Sequence, residues 1–203
     1  MFVEWRYYCM ESKKDSRPAI VHHGITRRDV LATGIAIGAA CLVPYKAIAG
    51  VSKVFSAERV LQFYNTHTDE KIKTVYWCRG EYVPQALDDI NHILRDYRTG
   101  ETKEIDIHLV ELLFTLQQKL ESADPFHIIS GYRSPATNAI LRMISKGIAK
   151  DSLHTDGKAI DIRLPGYGLN TVKRAAVDLQ MGGVGYYPLS DFVHVDVGRV
   201  RYW

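Results

Sequence analysis

Cysteine is scarce in this chain of 203 residues: there are three, and only Cys78 lies beyond residue 50. A closed, cysteine-rich structural zinc site is therefore excluded from residues 50–203, and so is a disulfide within that stretch. An excess of charge is missing as well. Residues 1–49 hold seven of the 26 Lys and Arg and four of the 23 Asp and Glu, which leaves 19 of each sign beyond them. A neutral stretch without a basic tract argues against nucleic acid as a partner. Internal repeats and low-complexity linkers are absent too. About 154 residues without such a break suit one domain with a real core.

The first 49 residues read as a leader. Thr26-Arg27-Arg28-Asp29-Val30-Leu31 is a twin-arginine pattern, Ala32 to Val43 carries no charge, and Ala47-Ile48-Ala49 is a small-x-small cleavage site. The apolar run is too short to span a ~30 Å hydrocarbon core. The expectation is export to the periplasm by the twin-arginine route, with membrane contact only in transit. The working domain is then residues 50–203.

Within that domain the periodicities alternate between strand and helix. Arg59-Val-Leu-Gln-Phe-Tyr-Asn and Lys71-Ile-Lys-Thr-Val-Tyr-Trp predict two strands around the polar turn 66–70. Pro84 opens a helix with an apolar stripe of Leu87, Ile90, Ile93 and Leu94, and Ile105 to Leu120 predicts a second. A strand at 126–130 leads into Ser134-Pro135, a cap and a first turn for a third helix. Then follow a strand at Asp161, a helix from about Asn170 to Gln180, and strands at 184–187 and 193–197. The fold class is α+β: a small antiparallel sheet with helices packed on it.

Two strands carry the chemistry. Ala159-Ile160-Asp161-Ile162-Arg163 and Val193-His194-Val195-Asp196-Val197 both alternate, so the aliphatic residues enter a core while Asp161, His194 and Asp196 face out. His154 precedes Asp161 by seven residues, and Gly157 between them lets the chain turn sharply. Two imidazoles and one carboxylate suit a catalytic zinc site, which takes three protein ligands and keeps a fourth position open. A histidine on a strand is, however, usually an ordinary hydrogen-bonded residue, and the residues alone leave both readings open.

The motifs, in order, are Ser130-Gly-Tyr132-Arg133-Ser-Pro-Ala-Thr-Asn138, Ser152-Leu-His154-Thr-x-Gly157-Lys-Ala-x-Asp161-Ile, Gly183-Val-Gly-Tyr-Tyr-Pro188 and Phe192-Val-His194-Val-Asp196-Val-Gly198. Together they resemble the zinc D-Ala-D-Ala-type murein peptidases, which share a superfamily with lysostaphin-type peptidases and the hedgehog domain. Within that group they are most similar to the murein endopeptidase K branch. The resemblance covers residues 55–203 and implies one zinc ion per chain, held by His154, Asp161 and His194. It implies that Arg133 sits beside the metal and binds a substrate carbonyl or carboxylate. Relatives with an acidic residue three positions before the last histidine use it as the base, and Asp191 stands there. Phe192 occupies the position where other relatives carry a second histidine.

Asp191 and His194 are an odd number apart, so the carboxylate reaches the site only if residues 189–191 are still turning. Asp196 is the alternative: a base, or a partner that orients an imidazole. Tyr132 and Ser152 are candidates to touch substrate. His127 is expected to be structural, and Tyr186 and Tyr187 could line a groove. The function implied is hydrolysis of peptide cross-links in peptidoglycan stems, including bonds between two diaminopimelate residues, by a monomer. The alternatives are a D-Ala-D-Ala carboxypeptidase and a zinc-containing peptidoglycan-binding module without catalysis.

Overall fold

The computed structural model describes residues 4–6, 58–145 and 148–203. The twin-arginine segment and the cleavage site expected before Gly50 lie outside the described residues. Among the described residues no helix is long and apolar enough to cross a membrane.

Strands and helices follow the periodicities closely. The strands are β1 (Glu4–Arg6), β2 (Arg59–Asn65), β3 (Lys71–Cys78), β4 (Glu81–Tyr82), β5 (Phe126–Ser130), β6 (Ala159–Arg163), β7 (Gly183–Tyr187), β8 (Phe192–Asp196) and β9 (Arg201–Tyr202). The helices are α1 (Pro84–Ile93), α2 (Ile107–Lys119), α3 (Pro135–Ile144) and α4 (Leu169–Leu179), with a 3-10 turn at Leu153–Asp156. Proline opens α1 and α3, where its missing N–H costs nothing. Ser134 caps α3 by accepting from the Thr137 amide. The second helix starts two residues later than the stripe suggests. Asp106 caps it through the His108 amide, while Ile105 is buried ahead of it.

All the strands join one mixed sheet in the order β1-β3-β2-β5-β6-β8-β7-β9, with β4 beside β3. The block β5-β6-β8-β7 is antiparallel throughout, as expected. The N-terminal hairpin extends it through a parallel pairing of β2 with β5. Ile160, Ile162, Val193 and Val195 are wholly buried in the core, together with Leu109, Leu113 and Leu116 of α2. The residues that alternate with them, Asp161 and His194, therefore lie on the other face of the sheet.

Cys78 is disulfide-bonded. It is the sole cysteine among the described residues.

Candidate metal centre

Backbone pairing brings the three ligand candidates together. In the β6–β8 ladder Asp161 stands directly opposite His194. The 3-10 turn supplies His154 and closes on Gly157 at φ 69°, a left-handed conformation that a side chain would disfavour. A Cβ at 157 would also meet the Glu104 carbonyl oxygen at 2.5 Å, and the Asp106 amide donates to the Gly157 carbonyl at 3.0 Å. Gly131 is pressed as closely against Leu94, whose carbonyl oxygen lies 2.4 Å from where a Cβ would stand. The Arg133 amide donates to the His154 carbonyl at 3.1 Å, so the arginine loop and the histidine turn form one unit.

The ligand atoms form a compact triangle. His154 Nε2 lies 3.2 Å from His194 Nδ1 and 3.3 Å from Asp161 Oδ1, and the third side is 2.9 Å. A tetrahedral ion with bonds of about 2.0–2.1 Å separates its ligands by roughly 3.3 Å. The tautomers fit as well. His154 Nδ1 faces the Gly131 carbonyl oxygen at 2.8 Å, and a carbonyl only accepts, so the ring proton sits there and Nε2 keeps a lone pair. His194 Nε2 donates to Asp196 Oδ2 at 3.0 Å, which leaves Nδ1 for a metal. Three acceptor atoms thus converge with their protons held elsewhere, a donor set that calls for a cation.

Electrostatics bear this out. Burial alone would raise the Asp161 pKa, but the two imidazoles hold it well below the usual carboxylate range. Burial would lower that of His194, yet hydrogen bonds to Asp161 and Asp196 raise it.

Asp196 is wholly buried and fully engaged, not facing out as the alternation suggests. Oδ1 accepts from the Gly183 and Gly198 amides, and Arg201 donates to both oxygens at 3.0 and 2.7 Å. It touches His194 on the nitrogen turned away from the triangle. Both of its oxygens are taken up by donors, one of them the His194 ring. His194 is covered in turn by Trp203, whose ring centroid lies 5.3 Å from its own.

The triangle lies in a groove of about 870 Å³. Arg133 reaches into it, only 7 % exposed. Its best contacts are long: Nη1 to Asn138 Oδ1 and Nη2 to Ser130 Oγ are both 3.4 Å, and Asp161 Oδ2 is 3.7 Å away. Nε has no partner. Burial lowers the Arg133 pKa, and Asp161 opposes the drop. A buried guanidinium with spare donors beside a metal triangle is set to grip an oxygen of something else. Arg133→Ala is expected to cut turnover by about 10²–10³-fold with metal content unchanged, in parallel rate and metal assays.

The remaining candidates divide. Asp191 has φ 55° in the turn before β8, so the chain is still turning there. Its exposed carboxylate pairs with Arg163, two residues along β6 from Asp161 and hence on the same face. It stands at the rim of the groove and not in its lining. Ser152 is buried and lines the groove. Tyr132 does not line it: the ring is buried in the hydrophobic core, because the chain turns inward against Leu94. His127 packs edge-on against Tyr64 away from the groove. Tyr187 lines the groove, stacked on Phe192 and accepting from Trp203 Nε1 at 2.7 Å, whereas Tyr186 packs against the core.

Two residues escaped the sequence reading. Asn138 braces Arg133 and also donates to the Ala149 and Lys150 carbonyls. Asp96, 1 % exposed, accepts from the Ser134 and Arg98 amides. Burial opposes its charge, but hydrogen bonds from Thr137, Ser134 and Arg98 hold its pKa low. Asn138 lies inside a quoted motif and was legible as a helix polar residue only, while nothing local marks Asp96.

A sequence profile described as peptidoglycan L,D-endopeptidase MepK matches residues 53–203. The chain is 44 % identical over 178 residues to the peptidoglycan L,D-endopeptidase MepK of Escherichia coli strain K12, covering 87 % of this chain and 96 % of that protein. The protein of the same description from Shigella flexneri gives the same figures. The probable peptidoglycan L,D-endopeptidase MepK of Haemophilus influenzae is 40 % identical over 171 residues, 84 % of this chain and 90 % of its own. No solved structure matches.

Proposed function

Because the chain belongs to the peptidoglycan L,D-endopeptidase MepK family, we propose that it is a metallopeptidase that hydrolyses cross-links between peptidoglycan stems at the His154–Asp161–His194 centre. The observation that carries this reading is the convergence of three proton-free ligand atoms beside the unsatisfied guanidinium of Arg133. Zinc is the metal that suits two imidazoles and a carboxylate, and when bound it supplies Lewis acidity and a water that ionises near pH 7.

The chain's own residues do the rest. His154, Asp161 and His194 hold the metal, and Gly131 and Asp196 hold the two rings at their angles. Arg133 donates to the carbonyl oxygen of the cleaved bond, where negative charge gathers. Asp191 accepts a proton from the attacking water and delivers one to the leaving amine, so that the amide becomes a carboxylate and an amine. Ser152 and Tyr187 line the path of the stem. The bond between two diaminopimelate residues is the proposed target.

Residues 50–203 are the proposed working domain, exported to the periplasm behind a twin-arginine leader. The exported protein is expected to begin at or near Gly50, which N-terminal sequencing reads directly. The function itself is tested with composition-defined muropeptides and mass spectrometry of the products. Cleavage within the cross-link is expected. Release of terminal D-alanine alone would make the protein a carboxypeptidase, and no cleavage with metal loaded would leave a binding module.

A further inference from the structure

The groove carries more positive charge than the metal centre and its holding residues use. Its lining includes Arg98, Arg133 and Arg201 against two carboxylates, Asp151 and Asp161. Arg201 is spent on Asp196, and Asp161 on the imidazoles. Arg98 makes no ion pair among the described residues. Its guanidinium lies over the Tyr97 ring, 4.2 Å from the centroid. Tyr97 in turn stacks on His67 at 3.7 Å and 13°. His67 is anchored, since Nε2 donates to the Ile129 carbonyl at 2.9 Å, at the end of β5.

This side of the groove is built, not draped. Asp96 accepts from the Arg98 amide at 3.0 Å through one oxygen and from the Ser134 amide at 2.9 Å through the other. The turn that bears Arg98 is thereby locked to the loop that bears Arg133. A guanidinium stacked on an aromatic ring keeps its in-plane N–H groups free, and those groups match a carboxylate. Arg98 and Arg133 line the same groove. Two neighbouring guanidinium groups with donors to spare attract an anion.

We infer that Arg98, stacked on Tyr97 beside Arg133, binds a free carboxylate of the cross-linked substrate and selects for stems that carry one near the cleaved bond. The inference rests on the peptidase reading above. Arg133 works on the oxygen of the cleaved carbonyl, and Arg98 holds a group that does not react. A bond between two diaminopimelate residues leaves a carboxylate free on each: one on the residue that gives the amine, one on the residue that gives the carbonyl. The chemistry is the same, and the two sources are distinguishable by amidating either one.

The test compares the parent with Arg98→Gln and Arg98→Lys on three cross-linked dimers: unmodified, amidated on the amine side, and amidated on the carbonyl side. Hydrogen bonds to a charged partner are worth about 1.5–3 kcal/mol, or roughly 10–100-fold. The parent is expected to lose about that factor in kcat/KM on one amidated dimer and little on the other, which identifies the source. Arg98→Gln should lose it on the unmodified dimer and gain no further loss from amidation, and Arg98→Lys should recover part of it. An equal fall of Arg98→Gln on all three dimers, or none at all, overturns the inference. Calorimetric binding of the same dimers to metal-stripped protein reads the preference without turnover. If the parent cleaves nothing, the peptidase reading fails, and the binding comparison still decides for or against Arg98.

Discussion

Replacing His154 by alanine is expected to remove the metal and the activity together. His154 is 3 % exposed and holds one corner of the ligand triangle. Without it an imidazole and a carboxylate remain, too few to retain the ion against dialysis. Metal analysis should fall from one ion per chain to none, and muropeptide cleavage to the uncatalysed background. Because the variant also leaves the Gly131 carbonyl unpaired, Asp161→Asn is the companion, similar in volume and with the same expected loss. Circular dichroism of both checks that the fold survives. A full complement of metal in His154→Ala would take this residue out of the centre.

The second large effect separates two carboxylates five residues apart. Asp191→Asn is expected to keep the metal and the fold while turnover falls about 10²–10⁴-fold, the range for a lost general base. Asp196→Asn should act on the metal instead. An amide placed there turns its N–H₂ toward Arg201 or the His194 Nε2–H, donor against donor, within a wholly buried site. Metal affinity should weaken by about 10–100-fold. Losing the charge of wholly buried Asp196 opposite half-buried Arg201 should cost about 1–3 kcal/mol of stability, read by urea denaturation. If Asp196→Asn halts turnover with the metal bound and Asp191→Asn does not, the base is assigned to the wrong carboxylate.

Period-two alternation was enough to place Asp161 and His194 on a common face, because strand geometry is local. The turn at Gly157 was legible for the same reason. Burial of that face was not: His194 and Asp196 read as outward, and the cover comes from Trp203 and Arg201, which fold back across it from β9. The sheet also proved larger than its antiparallel half. What joins the halves is the parallel register of Phe63 with Phe126, a contact across 63 residues that no local pattern encodes. Asp96 was invisible because its acceptors serve amides 2 and 38 residues away. Tyr132 was misplaced by its motif: its neighbour Arg133 enters the groove, and the ring goes the other way, into the core.

The segment before α2 crosses the histidine turn, with the Glu104 carbonyl seated where a Gly157 side chain would be and the Asp106 amide tied to the Gly157 carbonyl. That crossing acts as a latch. Residues 104–106 contribute no ligand, yet they press on the bend that presents one. A proteolytic nick between Lys103 and Glu104 would therefore release the bend and loosen the grip on a bound metal, although the cut lies about fifty residues upstream of His154 and outside the lining of the groove.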